Sequence, residues 1–281
     1  MELGYALSEL RKNFASPNWW RTRVFTPYVL GTLTHLNPQN PGYDESIHVM
    51  KKDWDNLIIL DACRADYFEE AADLDEFDDY RREVSLGSHS SEWTKRNFEG
   101  KEFGDTVYVT GNPHTSMIAG DSFHEIIEPP ETEVSGVHAV LPESMMEAAR
   151  DASEQYPNKR LIIHFMQPHG PFIHKNARNP PLPTNEYWDE YKQAVEYIIP
   201  RARGFANELD GLTAISADHG QMMGSKLFGL FKVSNHPPRL RYPGLVSVPW
   251  ATVDGKRRDI REGDTTKASV SDDLEDRLAH L

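Results

Sequence analysis

The sequence predicts an α/β protein, a three-layer α/β/α sandwich in which helices cover both faces of a mostly parallel central sheet. Three observations predict it. Short apolar runs of strand length recur at 56–60, 107–110, 161–166, 213–217 and 244–248. Helical stretches separate them, at 143–154 and at 187–209, where Pro200 is expected to kink or split the helix. The length of 281 residues is enough to enclose such a core.

Taken in order, residues 1–45 read as an arm in front of a domain at 46–281. Residues 2–14 suit one short helix with Leu3, Leu7 and Leu10 on one face. Trp19, Trp20, Arg21 and Arg23 follow, then Phe25, Tyr28, Val29 and Leu30. This basic and aromatic patch suits either an arm packed on the domain or a peripheral contact with a membrane surface or a lipid-linked substrate. Residues 37–43 carry turn residues and read as a loop. The five apolar runs then follow, and residues 273–281 read as a terminal helix.

Composition narrows the function. Forty-four acidic against 30 basic residues give a formal charge of −14, which repels nucleic-acid backbones and excludes a general nucleic-acid binder. Arginine outnumbers lysine, and an acidic, lysine-poor surface suits either a salt-adapted protein or an ordinary acidic enzyme. The single cysteine, Cys63, excludes an internal disulfide. No run is apolar enough to cross a bilayer, and the first residues lack the apolar stretch of a secretory signal, so the expected location is cytoplasmic.

In open α/β sheets, functional residues gather at the carboxyl ends of the strands. Asp61 follows the first run, His169 the third, and Asp218 and His219 the fourth. One Asp after a strand is often only a helix cap. Carboxylates and imidazoles leaving three strands together suit a divalent ion, zinc or manganese before calcium or magnesium.

At these residues the chain resembles the sulfatases and their relatives in the alkaline phosphatase superfamily. The segment Asn56-Leu-Ile-Ile-Leu-Asp-Ala-Cys-Arg-Ala-Asp66 is similar to the family's opening strand, which ends in a metal-binding Asp. Ser216-Ala-Asp-His-Gly220 is similar to its second metal motif. Ile163-His-Phe-Met-Gln-Pro-His-Gly-Pro-Phe172 resembles the His-bearing strand of sulfatases and of lipid A phosphoethanolamine transferases. Val248-Pro249, beyond His236, matches the segment after the last family histidine.

The resemblance implies that Asp61, Asp218 and His219 hold the main metal. It implies that His169 and His236 bind a second metal or the substrate's charged oxygens. His164 has a counterpart in the transferases but reads here as a core histidine within a strand, and His174 as a loop residue. Family nucleophiles open a helix, where backbone N–H groups help hold an anion. The cluster at 85–94 offers such a start at Ser90, with Ser91 and then Ser88 as alternatives and Glu92 suiting the helix dipole. These serines also suit simple caps.

The chain departs from the family in two places. It lacks the Cys/Ser-x-Pro-x-Arg motif that matures to formylglycine, so an unmodified serine favours phosphoryl over sulfuryl chemistry. Gln167 stands where many two-metal relatives carry an acid, which puts a full second metal site in doubt. The expected activity is that of a metal-dependent hydrolase or transferase. Its substrate would be a phosphate mono- or diester on a small molecule, lipid or glycan. Arg64 reads either as a further group on the substrate's oxygens or as an ion pair with Asp66. The alternatives are a sulfatase-like enzyme without formylglycine and a non-catalytic metal-binding relative.

The acid excess has a consequence for stability. Repulsion between surface charges is screened as the Debye length falls from about 30 Å at 0.01 M to about 3 Å at 1 M salt. For a salt-adapted protein, the melting temperature at saturating metal rises steeply with potassium chloride over that range. A flat or falling series identifies an ordinary acidic protein.

Overall fold

Strand β1, Asn56–Leu60, is buried along its whole length, as an apolar run covered on both faces must be. The computed structural model describes residues 3–175 and 184–267, with side chains at 8–174 and 184–267. The further strands are β2 Asp79–Val84, β3 Phe103–Thr110, β4 Phe123–Ile127, β5 Thr132–Val134, β6 Val137–Ala139, β7 Arg160–Phe165, β8 Thr213–Ser216, β9 Met222–Leu227, β10 Phe231–Asn235 and β11 Ser247–Val253. The helices are α1 Leu3–Asn13, α2 Pro17–Trp19, α3 Gly31–Leu36, α4 Ala65–Ala71, α5 Ser90–Phe98, α6 His114–Ala119, α7 Pro142–Gln155, α8 Asn185–Ala206 and α9 Pro243–Val246, with a wide π-type helix at Trp20–Leu30.

The central sheet has seven strands in the order β2-β11-β8-β1-β7-β3-β4. The neighbours from β8 to β4 pair parallel, whereas β11 runs antiparallel to both β8 and β2. Successive side chains of a strand point to opposite faces, and this sorts the core into two layers. Ile58, Leu60, Val107, Val109, Ile163 and Phe165 pack with residues of α7 and α8. Leu57, Ile59, Tyr108 and Ile162 pack the other way, with Trp93 and Phe98 of α5 and Ala119 of α6. The α/β sandwich expected from the sequence is the one observed.

Three elements differ from expectation. The fifth apolar run does not form a strand at 244–248. Pro243 opens the short helix α9, and the strand begins only at Ser247 and runs antiparallel. Helix α8 continues through Pro200 without splitting. Pro200 is exposed there, so its missing N–H removes one bond on a face that water can satisfy. The edge strand β2 was not expected, because its sequence Asp-Tyr-Arg-Arg-Glu-Val reads as polar. Charged side chains are what an exposed edge carries. The terminal helix read at 273–281 lies outside the described residues.

The amino-terminal segment packs on the domain. Leu30 joins a cluster with Met222, Leu227, Val233, Leu240, Leu245 and Val246. Buried Arg241 fixes the loop that follows, donating to the carbonyls of Pro41 (3.1 Å), Gly42 (3.0 Å) and Ser85 (2.8 Å). Tyr28, Val29, Leu33 and Leu36 of the same segment remain exposed.

The two-layer core sets a test. Ile58→Ala leaves a void against α7 and α8 and should lower the unfolding free energy by about 2–5 kcal/mol. Arg82→Ala, which removes the exposed pair with Glu69 on the edge strand, should cost at most about 1 kcal/mol. Denaturant titration of both variants checks the contrast.

Candidate active site

The parallel strands β8, β1, β7 and β3 are neighbours, so their carboxyl ends meet along one edge of the sheet. Asp61 leaves β1 there, and its N–H continues the ladder to the Phe165 carbonyl (3.1 Å). The turn is tight: Ala62 sits at φ +59°, a left-handed conformation that costs an L-residue about 1–2 kcal/mol. Tyr191 holds the turn, donating its hydroxyl to the Ala62 carbonyl (2.7 Å) and accepting from the Arg64 N–H (3.1 Å).

Asp218 leaves β8 beside it. Its Oδ1 accepts from the backbone N–H groups of Ala62 (3.0 Å) and His219 (2.8 Å). Its Oδ2 is buried without a hydrogen-bond partner. Asp61 is 1% exposed and Asp218 fully buried, so both carboxylates are out of water.

Imidazoles surround them. His219 Nε2 lies 3.3 Å from Asp218 Oδ2 and 3.9 Å from Asp61 Oδ1. Its Nδ1 faces the Gly220 carbonyl at 2.8 Å, which fixes the proton on Nδ1 and leaves the Nε2 lone pair toward the carboxylates. His164 Nε2 lies 3.5 Å from Asp61 Oδ2 and 4.0 Å from Asp218 Oδ2, and it too is buried without a hydrogen-bond partner. Its Nδ1 meets the Tyr108 hydroxyl at 3.0 Å. Asp61, His164 and Asp218 each offer an atom within 4.8 Å of the others. Unpartnered oxygen and nitrogen atoms converging in a buried pocket are a fitting donor set for a zinc- or manganese-like ion.

The serine cluster separates by geometry. Ser90 is the first residue of α5, and its Oγ lies 3.3 Å from Asp61 Oδ2 and 3.1 Å from His219 Nε2. Ser91 Oγ instead meets His89 Nδ1 at 2.9 Å. Ser88 Oγ is engaged with Glu92 and donates to the Pro237 carbonyl (2.9 Å). Glu92 does more than face the helix dipole. It accepts from the Tyr43 hydroxyl (2.6 Å), the Ser88 N–H (3.2 Å) and the Arg239 N–H (2.9 Å), tying three segments to the start of α5. Gly87 lets the chain turn in closely: a Cβ there would meet the Trp93 backbone nitrogen at 2.5 Å.

His169 and His236 form a pair of their own, Nε2 to Nε2 at 3.0 Å. His236 stacks on His219 at 4.7 Å and approaches His89 at 4.9 Å. Burial first, then the neighbouring histidines, lowers the pKa of His236 well below its ordinary value and brings His89 to about 3. Both are therefore held neutral, the form that ligates a cation or accepts a proton. The Asp61 carboxyl is pulled the other way: burial opposes its charge, but His164, His169 and His219 hold its pKa well below the usual range.

Arg64 does not face this group freely. Its guanidinium pairs with Asp66 (2.9 and 2.6 Å) and donates to the Gln221 carbonyl (3.1 Å), the ion pair that one of the two sequence readings expected. His236 likewise sits with His169 rather than on the two carboxylates. Gln167 donates to the Val140 carbonyl (3.3 Å). His174 lies in a short turn, 3.3 Å from Glu190.

Sequence reasoning missed four groups. Asn112, in the turn after β3, donates to Asp61 Oδ2 at 2.7 Å. His89 caps α5. His114 packs edge-on against His89 at 5.4 Å. His164, read as a core histidine, is in the core but opens onto both carboxylates. The alternation of β7 carried that signal. Leu161, Ile163 and Phe165 face α7 and α8, so position 164 points to the side from which α5 brings Ser90.

Cys63 is fully buried on the α8 side of the sheet, and burial pushes its thiol pKa up. The native protein should not react with a thiol-specific disulfide reagent, whereas the unfolded chain titrates one thiol. Fast reaction of the native protein would show that the site is open.

No protein-family model matches this chain, and no curated protein matches it in sequence. Its structure is similar to the soluble domain of lipooligosaccharide phosphoethanolamine transferase A from Neisseria meningitidis, with a TM-score of 0.50 and 15% identity over 72% of this chain and 76% of that one. The periplasmic domain of phosphoethanolamine transferase EptC from Campylobacter jejuni gives 0.46 and 15% over 70% and 78%. A Vibrio parahaemolyticus protein of the alkaline phosphatase superfamily gives 0.44 and 13% over 84% and 70%. The cytoplasmic expectation is withdrawn, as solved domains of similar fold include ones named as periplasmic. It had rested on the lack of a signal, and among the described residues the structure adds only that no helix is long and apolar enough to cross a membrane. The chain shares the α/β fold of the soluble domain of that Neisseria transferase.

Proposed function

We propose that the chain is a metal-dependent enzyme that cleaves or transfers phosphate esters through Ser90. The observation that carries this reading is the position of Ser90 Oγ. It opens α5 within reach of Asp61 and His219, beside the unpartnered Asp218 Oδ2 and His164 Nε2.

Asp61, Asp218 and His219 would hold a divalent ion, with His164 beside them. Such an ion lowers the pKa of the serine hydroxyl and neutralises charge growing on a phosphoryl oxygen. The protein's own groups do the rest. Asn112 donates to Asp61 Oδ2 and thereby orients the carboxylate that meets Ser90. The start of α5 sets the direction of attack. Ser90 Oγ loses its proton and bonds to phosphorus as the bond to the leaving oxygen breaks. The leaving oxygen then takes up a proton. His169 and His236, paired beside this site, would contact the remaining phosphoryl oxygens. Water resolving the phosphoserine gives a hydrolase, and an acceptor alcohol gives a transferase. The similar Neisseria protein bears the name of a transferase, and that name supports the second outcome. A lipid- or glycan-linked ester would fit the same chemistry.

The reading is tested with 4-nitrophenyl phosphate, bis(4-nitrophenyl) phosphate and 4-nitrophenyl sulfate in the presence of zinc or manganese. Turnover of a phosphate ester is expected. Ser90→Ala should lower kcat/KM by about a thousandfold or more with the metal still bound, and Asp218→Asn should lose the metal. Wild-type turnover by Ser90→Ala overturns the serine assignment, and turnover of the sulfate alone overturns the phosphoester assignment.

A further inference from the structure

A cavity of about 620 Å³ opens beside the histidine pair. One part of its wall is His89 and His236 of the candidate active site. Another is Arg21 and Arg23 of the helix Trp20–Leu30, with Lys232 of β10. The remaining lining residues are neutral, and none is an Asp or Glu. In a chain of formal charge −14, a wall with three cations and no acid is a local reversal of sign.

The cations are also uncommitted. Elsewhere, exposed arginines such as Arg81, Arg82 and Arg257 pair with acids. Among the described residues, Arg21, Arg23 and Lys232 take part in no ion pair. Arg21 donates to the Lys232 backbone carbonyl at 2.8 Å, which fastens the arm to the hairpin β9–β10 that forms the other part of the basic wall. Three cations lining one cavity without an acid favour an anion there. Arginine forks and a lysine ammonium suit phosphate or carboxylate oxygens.

We propose that this cavity is a second anion subsite, so that the preferred substrate carries a further phosphate or carboxylate group beyond the ester at Ser90. The arm at 17–36 thereby forms part of the substrate site as well as packing on the domain. This inference rests on the phosphoester reading of Ser90 for the placement of the first anion.

The test measures equilibrium binding of inorganic phosphate and of propane-1,3-diol bisphosphate to the metal-loaded full chain. The bisphosphate should bind about tenfold more tightly than phosphate, a gap of about 1.4 kcal/mol. The ratio should shrink as salt is raised. Arg23→Gln/Lys232→Gln, which retains the Arg21 anchor, should bring the ratio close to one, with an unchanged thermal melt confirming its fold. Equal affinities in the wild-type chain, or a tenfold ratio that survives in the double variant, would overturn the subsite. Bisphosphate binding that needs the two cations, with no binding of phosphate itself, would retain the subsite and remove the Ser90 reading. Binding of neither anion removes both.

Discussion

Asp61 and Asp218 are buried together at the carboxyl edge of the sheet, and almost everything around them answers to that fact. Removing a carboxylate from water costs of order several kcal/mol unless its charge is matched. Backbone N–H groups match part of it at Asp218 Oδ1, and the Asn112 amide does so at Asp61 Oδ2. Asp218 Oδ2 is left over, facing two imidazole nitrogens. Two imidazoles and two carboxylates thus meet in a dry pocket, and under the proposed reading a divalent ion would supply the positive charge that the acids need.

The surrounding architecture keeps that pocket in register. Strands β8, β1, β7 and β3 lie in parallel, so residues far apart in sequence end at one edge. Gly220 allows the next layer to close in, since a Cβ there would meet the Gly244 carbonyl at 2.4 Å. Helix α5 is aimed by Gly87 at its approach and by Glu92 in its first turn. The result is a hydroxyl held beside the Asp61 carboxylate and His219, as the proposed nucleophile requires.

The strand-end residues were legible in the sequence because each directly follows an apolar run. Asp61, His169, Asp218 and His219 needed only the rule that chemistry gathers at carboxyl ends. Ser90 needed the further step of finding a helix start. Asn112 was not legible, because an amide two residues past a strand is ordinary turn chemistry until its partner is known. His164 was hidden by its own burial, which looks the same for a packing residue and a ligand. Strand β2 was hidden by its charges, and the direction of β11 by the fact that pairing partners, not local sequence, decide it. Arg64 shows the converse: a cation next to a candidate site was drawn to Asp66, two residues away.

The amino-terminal arm shows how far sequence alone reaches. Its aromatic and basic residues were visible, but the two faces they occupy were not. Leu30 is buried against the domain, while Arg21 and Arg23 face the cavity that leads to His236. Zinc titration of the chelator-treated chain tests most directly whether the buried carboxylates hold a cation. Uptake of one tightly held ion per chain, with a melting temperature that climbs with free zinc as mass action requires, is the result this account predicts. A chain that takes up no zinc and melts at the same temperature with and without it would contradict the account.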